Sequence, residues 1–273
     1  MSGDGSANRQ LSEAETTRQE TKQRAMTSGL GLVLSGGFLR GAFQVGVIEA
    51  LHAQGVRFPV VVGVSSGAWN AACVATGQIG EMREFWLEVA RTPKLRLRNL
   101  WHHGTPSNFP EIVRRIPMQT LRYERLALSA VRLRIGATSL RERRLHFFEG
   151  WESREAFFES LMASNYLPGL YGRPIRIGGR YYADGGLIDN VPYEAAFAAD
   201  CERVMVVVSD PRGRIWKRLL DREPHRVPPA KRERILVIHP QKPLPIGRVR
   251  TTVDDVMRCI EAGHAAAGTA LEA

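Results

Sequence analysis

The chain has 273 residues, 44% hydrophobic and 24% charged, with 38 Lys+Arg against 28 Asp+Glu and a formal net charge of +10. That composition excludes a wholly disordered chain, a collagen-like fibre and a low-complexity filament, and the length allows one large domain or two small ones. The basic excess points to an acidic partner surface, either nucleic acid or an anionic membrane.

In chain order, residues 1–28 are polar, lack the apolar core of a secretory signal, and read as a disordered arm ahead of a single domain over 29–273. No stretch approaches the ~18 consecutive apolar residues of a membrane-crossing helix, so the expectation is a cytoplasmic chain with at most peripheral membrane contact. Residues 30–34 (LGLVL) form an apolar run ending in Ser35-Gly36-Gly37, a buried strand followed by a glycine turn. Residues 41–54 carry Val45, Ile48 and Leu51 at helical spacing up to Gly55. Residues 59–64 read as a second β-branched strand and 66–77 as a helix of small residues. This strand–helix–strand–helix order predicts parallel strands and an α/β class.

A helix is expected over 81–90. Residues 93–121, rich in Pro, Arg and aromatics, read as an irregular excursion and as the place for a cover over the site. Strands are expected at 131–138 and 144–149, a helix at 153–164 and a hairpin at 174–183 around Gly178-Gly179. A helix at 192–199 has Pro192 near its first turn. Buried strands at 203–208 and 234–239 flank an exposed loop at 211–233, and a helix at 252–271 closes the chain. Cys73, Cys201 and Cys259 form no CxxC or Cys/His spacing, so the thiols are read as reduced, with no disulfide scaffold and no metal site.

Three segments carry chemistry. Gly63-Val64-Ser65-Ser66-Gly67 is a G-x-S-x-G between an apolar strand and a helix, the setting of a nucleophile elbow. The glycines permit the tight turn, and Ser65 sits where the helix N-terminus favours a developing anion. A plain Gly/Ser turn is the simpler alternative. Ser35-Gly36-Gly37-Phe38-Leu39-Arg40-Gly41 also lies between strand and helix, and its N–H groups can converge on a phosphate or an oxyanion. It matches neither G-x-G-x-x-G nor a P-loop. Asp184-Gly185-Gly186 places an acid on a turn that can approach another turn closely, although Asp-Gly turns are common.

In this order, Gly36-Gly37-x-x-Arg40-Gly41, Gly63-x-Ser65-x-Gly67 and Asp184-Gly185-Gly186 resemble the patatin-like phospholipases. The likeness extends to Ala163-Ser164-x-x-x-Pro168 and to Leu187-Ile188-Asp189-Asn190-Val191-Pro192, and covers roughly residues 29–270. The resemblance implies a three-layer α/β/α fold with a mainly parallel sheet and a Ser–Asp dyad acting on lipid acyl esters without a cofactor. Ser65 would be the nucleophile and Asp184 the general base. Gly36, Gly37 and Phe38 would supply oxyanion N–H groups, and Arg40 would fix that turn or face a headgroup.

Against the dyad stands a Ser-Asp-His triad, for which His239 and His264 have the right chain order. The resemblance favours the dyad, and His102-His103 reads as polar surface. A direct Asp base meets a difficulty, because an ordinary Asp has a pKa of about 3.9. Burial would raise it and nearby arginine would lower it. Phe38 departs from the family pattern, which has a third glycine there. At positive φ it would be strained; otherwise the turn differs, or the ring lines an acyl pocket.

The basic charge is uneven. Residues 211–234 hold nine Lys/Arg against three Asp/Glu, and 94–144 interleave arginines with Leu95, Leu97, Leu100, Trp101 and Phe109. For a lipid hydrolase both segments are expected to dock on anionic bilayers. A solvated loop is the alternative for 211–234, and no nucleic-acid motif accompanies the charge. The expected function is a phospholipase A or lysophospholipase-type hydrolase. The alternatives are an acyltransferase on the same dyad and a basic membrane-binding protein with an inactive site.

Overall fold

The computed structural model describes residues 29–97, 99, 101, 106–168, 174–218, 221–246 and 251–272. The arm at 1–28 and the pair His102-His103 lie outside these residues. Eight strands form one sheet: β1 (Leu30–Leu34), β2 (Val60–Val64), β3 (Arg132–Ser139), β4 (Arg144–Phe148), β5 (Ile175–Ile177), β6 (Arg180–Asp184), β7 (Arg203–Val207) and β8 (Ile235–Ile238). Strands β3, β2, β1, β7 and β8 are mutually parallel, and β4, β6 and β5 add antiparallel pairs beside β3. The helices are α1 (Ala42–Ala53), α2 (Ser66–Ala75), α3 (Met82–Arg91), α4 (Phe109–Thr120), α5 (Arg154–Ser164), α6 (Tyr193–Phe197), α7 (Pro229–Arg232) and α8 (Val253–Glu272).

Side-chain alternation along the strands divides the core into the faces of a three-layer fold. Leu30, Leu32, Leu34 and Val61 pack under α1, α2, α3, α4 and α8. Val33, Val60, Val62, Val204 and Val206 face the other way, against Tyr193 and Ala196 of α6 and Ile215. On the larger face α1 and α8 approach backbone to backbone. A Cβ on Gly46 would lie 1.9 Å from the Ile260 carbonyl oxygen and one on Gly263 2.1 Å from that of Phe43. All three cysteines are buried free thiols, and no helix among the described residues is long and apolar enough to cross a membrane.

Two segments depart from the sequence expectation. The excursion at 93–121 contains α4, despite Pro110 in its first turn and Pro117 inside it. An internal proline costs a helix about 3 kcal/mol. Burial of Phe109, Ile112, Val113 and Ile116 offsets that cost, so Phe109 is a core residue and not the exposed ring the sequence suggested. The segment 211–233 is also less exposed than expected. Ile215 is buried in the core on this face of the sheet, and its bridge to His225 closes the segment on itself.

Candidate active site

Strand geometry brings the two motif residues together. Strand β4 occupies one edge of β3. On the other edge β2 ends with Val64 opposite Gly136, and β6 ends with Asp184 opposite Ala137. Strand β2 runs parallel to β3 and β6 antiparallel to it, so their carboxy ends meet head on. Ser65 is the next residue after β2.

Ser65 has φ 55° and ψ −130°, a conformation that costs a non-glycine residue on the order of 1–3 kcal/mol. The turn closes because its flanks lack side chains. A Cβ on Gly63 would lie 2.5 Å from the Gly67 carbonyl oxygen, and one on Gly67 2.2 Å from that of Leu34. Ser164 braces the strained residue: its Oγ accepts the Ser65 N–H at 2.9 Å and donates to the Gly136 carbonyl at 2.6 Å.

Asp184 is fully buried. Its Oδ1 accepts the Gly186 N–H at 2.8 Å, and its backbone carbonyl accepts the Thr138 hydroxyl at 2.8 Å. A Cβ on Gly185 would lie 2.6 Å from the Gly136 carbonyl oxygen, so a bare residue is needed for this turn to sit against β3. Burial pushes the carboxyl up to about 7, against smaller opposing pulls from the Ser65 hydroxyl and the Gly186 N–H. Of the two effects weighed in the sequence, burial is the one at work on Asp184, and the opposing pulls come from hydrogen bonds and not from arginine charge. The Ser65 hydroxyl is near enough to act on the carboxyl, yet Oδ2 has no aligned hydrogen-bond partner.

The glycine turn lies beside this pair. The Gly36 N–H donates to the Asn190 carbonyl at 3.3 Å, and Asn190 Nδ2 donates back to the Gly36 carbonyl at 3.1 Å. The Gly37 N–H donates to Ser66 Oγ at 3.1 Å. Two of the three N–H groups expected to face an oxyanion, those of Gly36 and Gly37, are therefore bonded within the protein in this state, that of Gly37 to a rotatable hydroxyl. Arg40 fixes the turn, donating from its backbone N–H and its Nε to the Gly37 carbonyl at 3.1 and 3.3 Å. Gly41 is the residue before α1 and accommodates Trp86, whose ring a Cβ would meet at 2.5 Å.

Phe38 has φ 55°, so it adopts the left-handed conformation that suits glycine, and its ring packs half-buried against the core. Together with Trp69, Val89, Phe109 and Val113 it lines a cavity of about 20 Å³ at Ser65, room for about one water.

The triad candidates are engaged elsewhere. His239 Nδ1 contacts the Pro240 carbonyl at 3.2 Å, and His264 pairs with Glu49 at 2.8 Å on the surface of α8.

Sequence reading missed the polar residues that hold the turns. Trp86 Nε1 donates to Asn70 Oδ1, Asn70 Nδ2 donates to Gln44 Oε1, and Gln44 Nε2 donates to the Ser35 carbonyl, at 2.8, 2.8 and 2.7 Å. This buried chain ties the glycine turn to α2. Polar residues at core-facing helical positions were the available signal. Ser66 and Asn190 lay inside quoted motifs without a role, as did Ser164.

The chain is similar to known proteins in sequence and in fold. The family model for "Patatin-like phospholipase" matches residues 32–197, more than half of the chain. Patatin-like phospholipase domain-containing protein 2 of Homo sapiens is 28% identical over 164 residues, 57% of this chain and 32% of that protein. Lysophospholipase NTE1 of Saccharomyces cerevisiae is 26% identical over 185 residues, 65% of this chain and 10% of that protein. The match thus spans a third or less of these relatives' own length. The crystal structure of VipD from Legionella pneumophila superposes with a TM-score of 0.53 at 16% identity, covering 89% of this chain and 66% of that one, a likeness of fold. The chain belongs to the patatin-like phospholipase family, a family of lipid acyl hydrolases.

Proposed function

We propose that the chain hydrolyses fatty-acyl esters of phospholipids or lysophospholipids, with Ser65 as nucleophile and Asp184 as its general base. The observation that carries this reading is the pair itself: a strained serine at the head of α2 beside a buried carboxyl poised at about 7. A base with a pKa near the working pH combines a useful ionised fraction with real proton affinity.

Ser65 Oγ attacks the ester carbonyl carbon as its proton passes to Asp184 Oδ2, the carboxylate oxygen without an aligned partner. The carbonyl oxygen becomes an anion facing the glycine turn, where the Gly37 N–H exchanges Ser66 Oγ for it. Collapse breaks the bond to the alcohol, which leaves with the proton from Asp184. Water then attacks the acyl-enzyme, giving up its proton to Asp184, and the second collapse releases the fatty acid and restores the Ser65 hydroxyl. The acyl chain enters where Phe38, Trp69 and α4 close the small cavity, so these side chains must part to admit it.

Substrate approach is peripheral in this reading. Leu95, Leu97 and Trp101 are exposed between α3 and α4, the helices whose Val89 and Val113 line the cavity. Apolar side chains here reach the lipid while arginines face the headgroups. The basic contribution is narrower than the sequence suggested. Lys94 is buried, donating to the Ala90 and Thr92 carbonyls at 3.2 and 2.6 Å. Arg214, Lys217 and Lys231 are paired with Asp210, Asp189 and Glu194. Release of fatty acid from phospholipid or lysophospholipid vesicles by the wild type, and none by Ser65→Ala, tests this function.

A further inference from the structure

A larger cavity, of about 550 Å³, opens at the other end of β2 from Ser65. Helix α1 ends on it with Ile48 and His52 and α2 with Val74, and the residues that lead into β2 and β3 close it. It shares no lining residue with the cavity at Ser65. The five residues of β2 lie between them, a span of roughly 17 Å at the rise of an extended strand. The volume falls in the range of small-molecule sites, about 300–1,000 Å³.

The wall is mostly apolar. Ile48 and Phe58 are buried, and Val56, Val74, Ile79 and Val131 are half-buried, packed on the core while still lining the cavity. The polar side chains of the lining are His52 and Arg57. They are tied together, because Arg57 Nη1 donates to the His52 and Val56 carbonyls at 3.1 and 3.0 Å. Both acceptors are neutral, so these bonds orient the guanidinium without cancelling its charge. The carboxy end of α1 carries only about half a negative unit. No carboxylate lines the cavity, and Arg57 forms no ion pair among the described residues. Arg57 is exposed, so its remaining donors are open to a ligand. Burial and the Arg57 charge hold the His52 imidazole below its ordinary value, so it adds no second positive charge at neutral pH.

An apolar wall with one cation at one side describes a single-chain amphiphile with an anionic head. A carboxylate matches guanidinium through two parallel N–H bonds. We propose that this cavity binds a fatty-acid anion, with its carboxylate on Arg57 and its chain along Val74, Ile79 and Val131. The site goes beyond the proposed hydrolysis and does not depend on it. Its ligand is of the class that such a reaction releases, but none of the residues that hold it lies at Ser65.

The test titrates the full chain with sodium decanoate, below its micelle concentration, by calorimetry and by methyl NMR. Saturable binding is expected, with the largest methyl shifts at Val74, Ile79 and Val131. Arg57→Gln should weaken it about tenfold or more, and Val74→Phe, which fills the cavity, should weaken it as well. Arg141→Gln, an exposed arginine outside the lining, controls for the loss of one charge and should bind as the wild type does. The uncharged 1-decanol should bind more weakly than decanoate and be indifferent to Arg57→Gln. Thermal melts check that each variant is folded, and the exposed Arg57→Gln carries the test if Val74→Phe is not. Absence of saturable binding, equal binding by the wild type and Arg57→Gln, or shifts confined to Val89 and Val113 at the Ser65 cavity overturns the proposal. Decanoate binding by a wild type that hydrolyses no ester would contradict the proposed function and leave this site standing.

Discussion

Ser65 and Asp184 meet because the strands that carry them, β2 and β6, end head to head on one edge of β3, opposite the consecutive residues Gly136 and Ala137. The pairing is built into sheet register, so neither residue depends on a long flexible loop for its position. It also buries Asp184 completely, and that burial gives an aspartate the basicity its ordinary pKa denies it.

Activity should therefore follow the ionisation of Asp184, with kcat/KM rising through about pH 7 to a plateau. Stability should move the opposite way. The folded-state pKa lies above the unfolded value, so the folded state holds the extra proton, and stability falls as pH rises from about 4 through about 7. Asp184→Asn should abolish hydrolysis and remove this fall. Its unfolding free energy should gain on the wild type by a few kcal/mol across that range in urea titrations. A flat rate profile between pH 5 and 8 would argue against Asp184 as the base.

Ser164 should behave as a positioning residue. Ser164→Ala leaves the Ser65 N–H and the Gly136 carbonyl without their shared partner. Loss of about 1–3 kcal/mol in stability is expected, with a fall in kcat larger than any rise in KM, since the hydroxyl holds the nucleophile and not the substrate. An unchanged kcat with lowered stability would make its role structural alone.

Much of this was legible in the sequence. The strand runs at β1, β2, β7 and β8, the hairpin of β5 and β6 and the closing helix follow from apolar periodicity and from glycines at turns. Ser65 and Asp184 stood out because glycines flank them in a fixed chain order. Helix α4 was hidden by Pro110 and Pro117, since its stability comes from tertiary burial that local propensity does not register. The buried chain of Trp86, Asn70 and Gln44 was hidden for a related reason. A polar side chain inside a helix reads as surface until its partner, many residues away in sequence, is known.

Phe38 offers a separate check on the turn. Phe38→Gly should retain activity, because the left-handed conformation suits glycine and the lost ring opens the cavity at Ser65. The preferred acyl chain should lengthen. Phe38→Ala removes the ring but keeps the strain, and should be less stable than Phe38→Gly by about 1 kcal/mol in thermal melts. Inactivity of Phe38→Gly with an intact fold would show that the ring is needed for more than filling space.

Membrane docking should depend on the apolar surface between α3 and α4. The double variant Leu97→Asp with Trp101→Ala should bind anionic vesicles more weakly in sedimentation assays and hydrolyse a water-soluble ester at the wild-type rate, since both side chains are more than 80% exposed. Binding by the wild type should weaken with added salt. Salt-independent binding, or binding unaffected by the double variant, would place the contact elsewhere.

The most direct measurement is covalent labelling by a serine-directed fluorophosphonate in the presence of lipid, read by intact mass. One adduct on the wild type, mapped to Ser65, and none on Ser65→Ala is the result expected of a nucleophile at this elbow. Equal labelling of both proteins, or no labelling of a folded wild type, would contradict the assignment of Ser65.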